Sequence, residues 1–159
     1  MRILILIVAA LVLLVALVAL IGWLLPATRE GRAEVVISAP PGQILAVIAD
    51  VEAQPDWRAV GTVTRTADGW EEVTARGERI RFVAQEMTAT RIRLRFSSDA
   101  GYTGEWEARL DPVAGGTRIS VVERATMPSP LGRIIARVMF DPDAFATKYL
   151  EELKARVER

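Results

Sequence analysis

Four glutamates set within alternating apolar segments, Glu86, Glu105, Glu107 and Glu123, are the side chains best suited by type to do chemistry. A carboxyl buried among apolar groups resists ionisation, and its raised pKa suits proton transfer near neutral pH. Strand parity puts Glu86 with Phe82, and Glu123 with Ile119 and Val121, on faces expected to turn inward. A plainer role is open to both, as exposed strand-end groups or as partners of an arginine such as Arg124. Glu105 and Glu107 fall on the opposite parity, where Arg91, Arg93 and Arg95 form a basic stripe. Cross-strand pairing of these acids and bases is one reading of the stripe; contact with phospholipid headgroups is the other.

The composition removes more chemistry than it offers. The chain of 159 residues has no histidine and no cysteine. Ser-His-Asp catalysis, His-ligated zinc, thiolate metal sites, disulfides and cysteine-linked lipids are therefore excluded. No metal and no cofactor is expected, and no catalytic motif is present, so a binding role is preferred to an enzymatic one. Basic and acidic residues balance at 20 each, which gives no global attraction to nucleic acid. The arginine stripe also lacks the interleaved aromatics of a single-strand binding surface.

The elements that must position these groups follow from periodicity. Arg32 to Ser38 alternates as a strand, and Pro40-Pro41-Gly42 ends it. Pro41 can open a short helix, whose apolar stripe is Ile44, Val47, Ile48 and Val51. A polar loop from Asp50 to Asp56 delivers Trp57. Strands are then expected at 60–66, 70–75, 79–88, 91–97, 102–110 and 117–125, joined by short turns such as Asp68-Gly69 and Arg76-Gly77. This is the pattern of an antiparallel meander with one wet face and one buried face. Ser129-Pro130 caps a closing helix, which Asp141-Pro142 kinks or restarts. Its apolar face continues through Phe145, Tyr149, Leu150, Leu153 and Val157. The segment from Met127 to Phe140 is unusually apolar for a surface, and fits a membrane contact or a lid.

Ahead of all this, Ile3 to Leu25 is an apolar run without a charge, amide or hydroxyl. At about 1.5 Å per residue it reaches roughly 35 Å, enough for a hydrocarbon core of about 30 Å. It is longer than a signal-peptide core and ends in Trp23, Leu24, Leu25 and Pro26 rather than at a small-residue cleavage site, so a retained single-pass anchor is preferred. The expected division is an anchor at 1–26 and one domain at 27–159, with Thr28 to Arg32 as a polar connector. The flanking arginines differ by one, which is too few to fix orientation; a short N-terminal tail favours an exported domain.

The order of elements, together with Val35-Val36-Ile37-Ser38-Ala39-Pro40-Pro41, Ile44 to Ile48, Asp50, Pro55 and Trp57, resembles the SRPBCC superfamily of START-like, polyketide cyclase/dehydrase-type domains. Gly104-Glu105-Trp106-Glu107, Gly116-Thr117-Arg118-Ile119 and Tyr149 to Lys154 extend the resemblance over essentially all of 30–158. It implies an α+β helix-grip fold, with a curved antiparallel sheet of six to seven strands wrapped around a long C-terminal helix. It also implies a sheet–helix cavity for a lipid or other hydrophobic small molecule, and no single reaction. Ligand-contacting residues expected there are Trp57, Phe82, Ile92, Leu94, Phe96, Tyr102, Trp106, Val138 and Phe140. Each could equally be plain core, and Trp57 could be a plug that packs the short helix on the sheet. Three readings follow: a membrane-anchored binder of an apolar ligand, a cyclase or dehydratase, and a non-catalytic interaction scaffold. Oligomeric state is left open.

Overall fold

In the computed structural model, which describes residues 1–159, the apolar run forms one helix, α1 (Arg2–Leu24). Apolar side chains project on every side of it, and only Gly22 is buried. It is long and apolar enough to cross a membrane. Pro26 ends it, because proline cannot continue the helical hydrogen bonding.

The domain begins sooner than expected. Thr28 to Arg32 is not a connector but the first half of β1 (Thr28–Ile37), paired with Thr126 back to Val122 of the last strand. Its polar alternation reflects a strand with one wet face. Only three residues therefore separate α1 from the sheet. After β1 come α2 (Pro41–Ala49) and a single 3-10 segment (Val51–Asp56) where a loop was expected. Six strands follow: β2 (Thr62–Arg65), β3 (Gly69–Val73), β4 (Arg79–Met87), β5 (Arg91–Ser98), β6 (Thr103–Val113) and β7 (Gly116–Thr126). All neighbours are antiparallel, in the order β1-β7-β6-β5-β4-β3-β2.

Sheet topology explains why the meander closes back on β1. The chain crosses from one sheet edge to the other through α2 and the 3-10 segment, then zigzags back strand by strand. Alternation fixes the faces. Ile92, Leu94 and Phe96, and likewise Trp106, Ala108 and Leu110, are buried inward, while Arg93, Arg95, Glu105 and Arg109 face water. Two arginines of the outer stripe are ion-paired to β6: Arg95 lies 3.4 Å from Glu105 directly across, and Arg91 2.9 Å from Glu107 on the diagonal.

Of the kink and the restart expected at Asp141-Pro142, the restart occurs, so the C-terminal part is two helices. Asp141 accepts from the backbone N–H groups of Asp143 and Ala144, and so starts α4 (Pro142–Val157) afresh. Phe140 is extended and separates α4 from α3 (Pro130–Met139). Only α4 is gripped by the sheet. Its buried Leu150, Leu153 and Val157 join the core with Ile37, Ile44, Ile48, Ile119 and Val121. Gly31 permits the close approach of α4 to β1, because a side chain there would collide with the Pro142 carbonyl. Asp143 fixes the same contact by accepting from the Arg32 N–H at 2.8 Å.

Candidate functional site

A polar cluster inside the grip is built on the 3-10 segment, β3, β7 and α4. Gln54 and Glu72 are buried, with Glu72 only 4% exposed. The 3-10 segment ends at Trp57, which leaves Arg58 directed back into the domain. The Arg58 guanidinium donates to Gln54 Oε1 at 2.8 and 2.6 Å, and to Glu72 Oε1. Glu72 also accepts from the Trp70 indole N–H at 3.0 Å, while Gln54 donates to the Ile48 carbonyl at 3.0 Å. An ion pair withdrawn from water is costly unless its remaining donors and acceptors are satisfied, and here no fully enclosed side-chain atom lacks a partner.

Aromatic rings surround this cluster. Tyr149 of α4 packs between Trp57 and Trp106, with ring centroids 5.9 and 5.6 Å away. The Arg58 guanidinium stands 5.9 Å from the Tyr149 ring centroid, within cation–π range. A second row, Trp70, Phe82, Phe96 and Tyr102, runs across the inner sheet face at 5.1 to 6.3 Å between successive centroids.

Glu123 of β7 projects inward beside Trp106, its cross-strand partner. Burial raises its pKa from 4.5 to about 7; the Arg58 charge opposes that shift and Glu72 adds to it. Burial likewise pushes the Tyr149 hydroxyl above the usual phenol range. Neither Glu123 nor Tyr149 has a hydrogen-bond or ion-pair partner within the chain, yet no fully enclosed polar side-chain atom lacks one. Both polar ends therefore keep some contact with solvent. Arg124, its neighbour in sequence, turns outward and pairs with Glu30 at 2.6 Å.

Of the residues expected from sequence, Ile92, Leu94, Phe96 and Trp106 are buried on the inner face, and Trp57, Phe82 and Tyr102 are half-buried around it. Val138 and Phe140 are not there. They belong to α3 and the break after it, outside the grip, with Val138 75% exposed. The expectation allowed a kink or a restart at Asp141-Pro142 but kept Val138 and Phe140 with the gripped helix; the restart that occurs separates α3 from the sheet. Glu86 is also misplaced by parity. A bulge between Ala84 and Glu86 shifts the register, so Glu86 pairs with Arg93 on the outer face and Met87 takes the inward position. It lies 4.0 Å from Arg91. Glu72 was missed, although it shares parity with Trp70 and could have been found by the same rule. Arg58 left no such signal, since its direction depends on how the 3-10 segment ends.

A curved antiparallel sheet gripping a C-terminal helix, with a partly polar site between them, defines a START-like helix-grip domain. The chain belongs to the polyketide cyclase / dehydrase and lipid transport family, whose profile matches residues 28–158. No curated protein sequence matches it. Among solved structures it is similar to the Zhui aromatase/cyclase from Streptomyces sp. R1128, with 16% identity, a TM-score of 0.65, and coverage of 83% of this chain and 94% of that one. A START superfamily protein from Mycobacterium smegmatis matches at 17% identity and TM-score 0.57, covering 82% and 97%. A protein from Chromobacterium violaceum matches at 21% identity and TM-score 0.60, covering 84% and 99%. At these identities the likeness concerns the fold.

Proposed function

We propose that this chain is a membrane-anchored binding domain for a hydrophobic small molecule or lipid that carries a carbonyl or hydroxyl group. One observation carries the reading: Glu123 and Tyr149 are unpartnered polar ends among Trp57, Trp106 and the inner sheet face. Few convergent polar groups on an apolar wall are what a ligand pocket needs for orientation. With a pKa of about 7, Glu123 keeps a substantial protonated fraction near neutral pH and can then donate to a carbonyl oxygen. α1 would hold the domain at the bilayer surface, where apolar ligands concentrate. The exported orientation belongs to the same proposal.

Native mass spectrometry of the full chain, released from detergent micelles, tests this. The incubation set is fatty acids, isoprenoid alcohols, aromatic polyketides and plain alkanes. Retention of an oxygen-bearing ligand, lost in Glu123→Leu with Tyr149→Phe, supports the proposal. No retained ligand in the wild-type chain refutes it.

A second reading is favoured by the pKa of Glu123 itself, which suits a general acid or base near neutral pH. Turnover of a polyketide-like carbonyl compound, following a titration near pH 7 and absent in Glu123→Gln, would establish it. Ligand binding without turnover leaves the binding function.

A further inference from the structure

The amphipathic helix α3 plays no part in the grip. Its exposed apolar side chains are Leu131, Ile135, Val138 and Met139, at 57, 53, 75 and 77% exposure. At about 100° per residue these four fall on one face, while Arg133 and Arg137 fall on the other. A soluble surface would leave such a stripe in water, at the cost of an exposed apolar patch.

Both ends of α3 are tied to the point where α1 ends. Gly22 of α1 lies against the Pro130 backbone, with no room for a side chain between them. Arg133 donates to the carbonyls of Trp23 and Leu25 at 3.1 and 3.2 Å, two of the acceptors that a helix terminus leaves unpaired. At the far end, Arg29, near the start of β1, donates to the carbonyls of Ala136 and Phe140. Leu25 and Arg29 bracket the segment in which the chain leaves α1. A ten-residue helix, about 15 Å long, pinned to that segment at both ends cannot swing away from it.

We propose that α3 is an interfacial helix, whose Leu131–Ile135–Val138–Met139 face lies in the acyl–headgroup boundary of the bilayer that α1 spans. The inference rests on the proposal that α1 is a membrane anchor. Interfacial helices have this composition, with apolar groups on one face and arginines on the other. Arg137, exposed on the polar side, has no ion-pair or hydrogen-bond partner in the chain and is free to meet a headgroup phosphate. The apolar stripe thus extends the lipid-facing surface of α1, and the contact fixes the orientation of the grip domain on the membrane.

The absence of native cysteine makes a direct test possible. Nitroxide labels would be placed in the full chain, one at a time, by Leu13→Cys, Leu131→Cys, Val138→Cys and Thr147→Cys. Each labelled protein is reconstituted into phosphatidylcholine–phosphatidylglycerol vesicles. Collision rates with oxygen, which partitions into lipid, are compared with those of a water-soluble nickel chelate. All four sites are exposed, so folding is not at stake, and circular dichroism checks it. Labels at 131 and 138 are expected to favour oxygen as the label at 13 does, while the label at 147 favours nickel. If the label at 13 is in lipid but those at 131 and 138 match 147, the interfacial placement is overturned and the anchor stands. If the label at 13 is itself in water, the anchor falls and the interfacial helix with it.

Discussion

Replacing Glu123 by glutamine removes one titration and little else, because the amide mimics the protonated carboxyl in size and polarity. In the folded chain, burial raises the Glu123 pKa from 4.5 to about 7. At about 1.36 kcal/mol for each tenfold change in proton affinity, that difference amounts to roughly 3 kcal/mol. The sign follows from proton counting. Between pH 4.5 and 7 the folded state retains a proton that the unfolded chain has released, so stability falls as pH rises through that window and stays reduced above it. Below 4.5 both states are protonated and the group has no effect. Glu30, Asp68, Glu107 and Glu158 have lowered pKa values, so their titrations lie below this window and are common to both proteins. Urea unfolding of the full chain in dodecyl maltoside, followed by circular dichroism between pH 4.5 and 8, yields the stability difference between wild type and Glu123→Gln. The wild type is expected to lose roughly 3 kcal/mol relative to the variant across the range. A difference that stays constant within about 0.5 kcal/mol, the scale of an ordinary surface substitution, would refute the buried-carboxyl argument.

Glu72→Ala should cost about 3–5 kcal/mol by leaving the Arg58 charge buried and unpaired. The paired change Arg58→Met with Glu72→Leu should cost less than that in the same urea assay; an equal or larger loss would contradict the ion-pair account. Gly31→Ala forces a side chain against the Pro142 carbonyl, and a loss of about 1–3 kcal/mol is expected from overpacking, read as a lower melting temperature. Asp141→Ala removes two capping acceptor contacts at the start of α4 and should cost about 1 kcal/mol, with Asp141→Asn restoring most of it. Arg95→Ala breaks a solvent-exposed pair and should change stability by less than about 1 kcal/mol.

Much of this architecture is legible in one dimension. The apolar run of α1, the alternation of Ile92, Leu94 and Phe96 against Arg91, Arg93 and Arg95, the glycine-bearing turns and the Ser129 and Asp141 caps are local properties. Each depends on covalent geometry or hydrogen bonding within a few residues, and the structure keeps them. Strand alternation likewise placed Glu123 correctly on the inner face, because β7 runs without a bulge from Ile119 to its cross-strand pairing with Trp106. It misplaced Glu86 because a single extra residue in β4 reverses every side chain beyond it.

The remaining decisions were tertiary. Thr28 to Arg32 is polar enough for a linker, and becomes a strand only because β7 offers it a complementary edge. Val138 and Phe140 look like cavity residues until the restart at Asp141 assigns α3 to α1 instead of the sheet. The site is also a product of long-range contact: Arg58, Glu72, Glu123 and Tyr149 lie far apart in the chain and share one electrostatic environment only in the closed grip. The sequence alone determined the membrane-length helix, the alternating strands and the chemistry that is missing, since composition and short-range periodicity need no partner. Which carboxyl is buried, which helix is gripped and which is left facing outward depended on register and packing between distant segments, which no local pattern encodes.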